Sequence, residues 1–194
     1  MKRNILNILI LLFASSTAIS QQSFYNKLSD SAIKLTQEHV VYDPGYYSIP
    51  YPNGDIPGGR GVCTDVIIRA YRMLGIDLQK EVHEDMSFNF DTYPKNWGLS
   101  GTDSNIDHRR VPNLTTFFSR KGEIRPQTSD PDDYSPGDIV CWDLGHGLTH
   151  IGLVVDKRSG DLKRHLVVHN IGSGQVLADC LFEYKIIGHY RYKK

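Results

Sequence analysis

Pro57-Gly58-Gly59-Arg60-Gly61-Val62-Cys63-Thr64-Asp65-Val66-Ile67-Ile68-Arg69-Ala70-Tyr71-Arg72-Met73-Leu74-Gly75 is the most informative stretch of this 194-residue chain. Cys63, Val66, Ile67, Ala70, Met73 and Leu74 follow the i, i+3, i+4, i+7 spacing of a helix that buries one face, while Asp65, Arg69 and Arg72 point elsewhere. Gly75 stops that helix. The spacing predicts a helix over 63–74 with Cys63 in its first turn, on or beside the core-facing stripe. There the positive end of the helix dipole is expected to lower the thiol pKa. The glycines before it are expected to let a substrate backbone approach. A cysteine so placed is a candidate nucleophile.

On either side of this stretch, a moderate helix is expected over 26–40 and a short one over 112–120, opened by Pro112 and stopped by Gly122. Beyond Gly122 the pattern shortens. Residues 138–142, 151–156, 166–168 and 186–192 read as strands separated by turns such as Ser135-Pro136-Gly137 and Arg158-Ser159-Gly160-Asp161. Helices followed by antiparallel strands predict an α+β fold, with the helices packed on one side of a sheet. Residues 78–111 are polar, aromatic and irregular, and are expected to form an insertion or lid.

The strands supply what a thiol nucleophile needs. His150 precedes Ile151-Gly152-Leu153-Val154-Val155, and His169 ends Leu166-Val167-Val168. Neighbouring strands would bring the rings together, with His150 as general base and acid and His169 holding its tautomer. The Cys63 amide is one natural oxyanion donor. Asp65 is expected to cap the helix, and Trp142 to be core or to line the cleft. Trp97, His108, Arg109 and Arg110 could wall that cleft, with arginines facing substrate carboxylates. Candidate substrate contacts are therefore Asp65, His108, Arg109 and Trp142. His146 and His150 are four apart, but Gly145 and Gly147 oppose a helix, and no Glu completes His-Glu-x-x-His. Neither a metal site nor any other cofactor is expected.

The N-terminus reads as an export signal. Lys2 and Arg3 precede an apolar run, and Ala18-Ile19-Ser20 offers a cleavage site. The run is too short to span a membrane, and no cysteine follows the cleavage site, so no stable membrane anchor is expected. Residues 21–194 would form a single mature domain, located in the periplasm or outside the cell. Without Lys2 and Arg3 it carries 20 basic and 22 acidic residues, a formal charge of −2. That balance gives no support for nucleic-acid binding. Three cysteines, Cys63, Cys141 and Cys180, exclude a disulfide scaffold. Cys141, in the middle of a strand, is expected to be a buried inert thiol.

Four segments, in order, resemble the NlpC-type cell-wall peptidases, a branch of the papain-like cysteine hydrolases. Gly61-Val62-Cys63-Thr64-Asp65 is similar to the nucleophile segment. Pro136-Gly137-Asp138-Ile139-Val140-Cys141-Trp142 is similar to the "PGD" strand, His150-Ile151-Gly152-Leu153-Val154 to the histidine strand, and Val167-Val168-His169 to the third catalytic position. The family usually has Asp before the cysteine and Ser-Gly after it; here Val62 precedes and Thr64-Asp65 follow. The interval from Cys63 to His150 is also longer. The resemblance implies a papain-like fold, a Cys63–His150–His169 triad without cofactor, and a peptidoglycan peptide or related envelope substrate. At finer grain, Gly61-Val62-Cys63-Thr64-Asp65-Val66, residues 105–113 and Gly188-His189-Tyr190-Arg191-Tyr192 resemble an uncharacterised exported bacterial family, domain of unknown function 1287. Two other readings stay open: a silent module binding cell-wall fragments in the same cleft, and a thiol hydrolase acting on a lipid or acyl substrate.

Overall fold

The computed structural model describes residues 21–194. The expected export signal, residues 1–20, lies outside the described residues. Helix α1 runs through residues 21–35. A short parallel pair follows, β1 (Val41–Tyr42) and β2 (Arg60–Gly61), and leads directly into α2 (Cys63–Arg72). Then come α3 (Leu78–Phe88) and α4 (Val111–Lys121), and last β3 (Glu123–Ile124), β4 (Ile139–Gly145), β5 (Leu148–Arg158), β6 (His165–His169), β7 (Val176–Ala178) and β8 (Lys185–Arg191). The last six strands form one antiparallel sheet in the order β3-β8-β4-β5-β6-β7. This is the expected α+β class, with the helix-borne cysteine against an antiparallel sheet.

Strand alternation divides the core. Ile139, Cys141, Ile151, Leu153, Val155 and Val168 face the helices and meet Leu28, Ala32, Val66, Ile67, Ala70 and Phe118. Val140, Trp142, Val154 and Val167 form the other face, covered by Tyr134, Cys180 and Leu181. Burial on both faces explains why β4 and β5 read as continuous apolar runs rather than alternating ones. Cys141 is the inert core thiol expected, and Cys180 is buried as well; none of the three cysteines is in a disulfide. Among the described residues no helix is long and apolar enough to cross a membrane.

Several local expectations are corrected. The first helix lies over 21–35 rather than 26–40, since residues 36–38 turn out of it. The stretch 78–111 is not irregular throughout, because α3 occupies its first third. Asp77 caps that helix through Lys80 N, and Leu78, Val82 and Met86, four apart, are buried. Its polar residues between those positions hide the periodicity. Strands β3 and β7 are too short to show a pattern of their own.

Candidate active site

Cys63 is the first residue of α2, and its approach is fixed by side chains distant in sequence. Val62, in extended conformation, donates its N–H to Asp65 Oδ2 at 2.7 Å. The same carboxylate is gripped by Arg109, with Nε 3.0 Å from Oδ1 and Nη2 3.1 Å from Oδ2. Arg109 also donates to the carbonyls of Gly45 and Asp43, while Thr64 Oγ1 donates to Arg109 O. From the sheet side, Asn170 Nδ2 donates to Gly61 O at 3.1 Å. The turn into α2 is thereby tied to the β1 loop, to the 3₁₀ turn Asp107–Arg109 and to the end of β6.

His150 and His169 come together as the strand pattern predicts. His150 Nε2 lies 2.8 Å from His169 Nδ1, and both rings are buried. His150 also stacks on Trp142, its partner across β4–β5, with ring centroids 5.6 Å apart. Gly152 makes this face possible, since a Cβ there would lie 2.6 Å from Val167 Cγ1 and 3.1 Å from the Trp142 ring. Burial pushes His150 down to about 3, followed by the repulsion of His169, and it lowers His169 as well. Both rings are therefore neutral at physiological pH.

Side-chain alternation puts His150 on the face opposite the helices and Ile151 on the helical face. The cysteine reaches β5 at an edge. The pairing of β5 with β6 runs no further than Leu153↔Val168, and the Ile151 N–H is directed at Cys63 Sγ. The thiol thus sits against the residue next to His150. No hydrogen bond joins Sγ to the His150 ring, whose Nδ1 has no hydrogen-bond partner among the described residues. The expected lowering of the thiol pKa is overturned. Burial, aided by the Asp65 charge and only partly offset by backbone N–H groups, pushes Cys63 up to about 12. At this depth desolvation of the thiolate outweighs the helix dipole.

A cleft of about 350 Å³ opens over Cys63, walled by Tyr42, Trp97, Arg110, Leu148 and Thr149 together with Arg109. Of the expected substrate contacts, Arg109 lines this cleft, but its guanidinium is committed to Asp65 and two carbonyls. Asp65 is buried and serves the turn. Trp142 is wholly buried, its indole N–H held by Leu181 O at 3.0 Å. His108 is buried away from the cleft lining and pushed down to about 3 by burial and the nearby Arg109 and Arg72. Asp65, His108 and Trp142 are therefore corrected from substrate contacts to supports. Gly58 and Gly59 are also corrected. They border a separate hollow with Asp55, Arg69 and Arg72, and Gly59 has φ +75° in the turn before β2. Tyr42, Leu148 and Thr149 escaped the sequence reading; only the adjacency of Thr149 to His150 pointed to any of them.

A family model described as "Domain of unknown function (DUF1287)" matches residues 29–192. The chain is 52% identical over 165 residues to "Uncharacterized protein YijF" of Escherichia coli (strain K12), covering 85% of this chain and 80% of that protein. Among solved structures, "Structure of NlpC1 from Trichomonas vaginalis" aligns with a TM-score of 0.46 at 17% identity. That alignment covers 87% of this chain, which spans 45% of the other. With the family match running from α1 to the residue after β8, the chain belongs to the DUF1287 family.

Proposed function

We propose that this protein is an exported thiol hydrolase that cleaves an amide bond in cell-wall peptides. The paired rings carry this reading: His150 Nε2 is held by His169, which leaves His150 Nδ1 free beside the residue whose N–H meets Cys63 Sγ. With Nε2–H donated to His169, the lone pair of His150 lies on Nδ1. Substrate closing over the cleft brings thiol and imidazole together. Nδ1 takes the Cys63 proton as Sγ adds to the amide carbonyl, and the Cys63 N–H at the start of α2 faces the developing oxyanion. The imidazolium returns that proton to the leaving amine, the C–N bond breaks, and a thioester remains. Water, deprotonated by the same ring, then releases the acid and restores the thiol. Because both groups rest neutral, proton transfer accompanies attack rather than preceding it. The peptidoglycan substrate is drawn from the NlpC-type sequence segments.

The test is digestion of purified peptidoglycan by the mature protein and by Cys63→Ala, with mass spectrometry of the soluble products. New fragments from the wild type alone are expected. No fragments from folded, reduced wild type would reject the reading. One observation favours a non-catalytic binding module instead: the thiol is neutral and makes no hydrogen bond to His150. Equal retention of wild type and Cys63→Ala on peptidoglycan, without products, is the outcome that reading requires.

A further inference from the structure

We propose that Arg110, laid over Trp97, forms a carboxylate subsite in the Cys63 cleft, so that the substrate is an amide bearing a free carboxylate near the bond attacked. This inference rests on the reading of Cys63 as the nucleophile and adds the substrate's charge to it. Arg109 and Arg110 are adjacent in sequence but opposite in situation. The Arg109 guanidinium is committed to Asp65 and to the carbonyls of Gly45 and Asp43. The Arg110 side chain makes no hydrogen bond and no ion pair among the described residues, and its Nη1 is buried without a partner. Its guanidinium carbon lies 4.0 Å from the centre of the Trp97 ring.

The neighbouring carboxylates make no hydrogen bond or ion pair with it. Asp103 bonds to Tyr46 and Asn105, and Asp107 Oδ2 to His83 and the Asp103 N–H. Burial disfavours the Arg110 charge more than these carboxylates support it. No residue lining the cleft is acidic. Arg110 is half-buried, and leaving its hidden Nη1 without an acceptor is costly. A planar fork placed over an indole matches a carboxylate in two parallel hydrogen bonds. The wall of the pocket that holds the thiol therefore presents a positive charge with no ion-pair partner among the described residues.

Iodoacetate and iodoacetamide test this without any turnover. Both transfer a two-carbon group to sulfur and release iodide, but only the first carries a carboxylate. Site-resolved mass spectrometry gives the ratio of the two rates at Cys63. The wild-type ratio should exceed that of Arg110→Gln by about tenfold, the size of one hydrogen bond to a charged group, and Arg110→Lys should keep part of the excess. Should Arg110→Gln fail to fold, the wild type decides alone: its reaction should saturate with iodoacetate and stay linear with iodoacetamide. Equal ratios, absence of saturation, or a Cys63 inert to both reagents would overturn the subsite.

Protection separates the sources of the carboxylate. Slowing of the iodoacetate reaction by alanyl-alanine supports a terminal carboxylate. Slowing by a glutamyl peptide with an amidated terminus supports a side-chain carboxylate, and slowing by neither counts against both. A shifted ratio with no peptidoglycan products would remove the cell-wall reading and leave the subsite. Products with an unshifted ratio would do the reverse.

Discussion

His150 Nε2 and His169 Nδ1 lie 2.8 Å apart, and the ring that holds the proposed base is itself a neutral imidazole. A neutral partner fixes the tautomer of His150 without stabilising its charged form as a carboxylate would. His150→Ala should therefore lower kcat by about 10²–10⁴. His169→Ala should cost about tenfold, near the loss of one hydrogen bond, with KM unchanged. His169→Gln, which keeps an acceptor, should recover part of it. Steady-state kinetics on a peptide released from peptidoglycan would decide; an equal loss for both alanine variants would give His169 a larger part than positioning.

Cys63 should behave as a high-pKa thiol. Its alkylation by iodoacetamide should rise about tenfold per pH unit, in step with the thiolate fraction, and continue beyond pH 10. A plateau near neutrality would reveal a preformed thiolate–imidazolium pair. Burial raises Cys63, Cys141 and Cys180 from 9.0 to about 12. Their contribution to stability is whole below pH 9 and is lost as pH rises from 9 toward 12.

Acid should weaken the fold through its buried histidines. His108 and His150 fall from 6.5 to about 3, chiefly by burial. Below pH 6.5 the unfolded chain takes up protons that the folded chain refuses. Their contribution is thus complete above pH 6.5 and declines as pH falls toward 3. Thermal melts at pH 7.5 and 4.5 should show the loss, and His108→Asn should reduce it. Identical slopes for wild type and variant would exclude His108 as a source.

Asp65→Ala should destabilise strongly, because it strands the Arg109 guanidinium and frees the Val62 N–H. Breaking a buried pair from one side costs about 3–5 kcal/mol. Asp65→Ala with Arg109→Met should lose less than the sum of the two single variants. Denaturant melts of all four proteins complete the cycle, and strict additivity would mean that the pair is not coupled.

Gly152→Ala places a methyl against Val167 and Trp142, contacts too close for a rigid core. Overpacking of this kind costs about 1–3 kcal/mol. Because Trp142 carries His150, activity should fall beyond what stability explains. Measuring kcat well below the melting temperature separates the two effects.

The order of parts was legible because it rests on local spacing. Val66, Ile67 and Ala70 repeat at helical intervals after Cys63, while His150 and His169 bound apolar strands, so the α+β class and the meeting of two imidazoles follow from neighbours in sequence. Helix α3 was missed because Leu78, Val82 and Met86 are its few apolar anchors among polar residues.

Residue order alone shows which groups are present and on which elements: a thiol opening a helix, and two histidines at strand ends. Their chemical state is set by packing. Desolvation depends on what packs around a group, and it turned an expected low-pKa thiol into one raised to about 12. It also divided two adjacent arginines. Asp65, 44 positions away, neutralises Arg109, while Trp97 and the cleft wall leave Arg110 unpaired. Local pattern carries the fold because helices and strands are periodic. Charge and protonation follow from contacts between distant residues, which only the folded chain brings together.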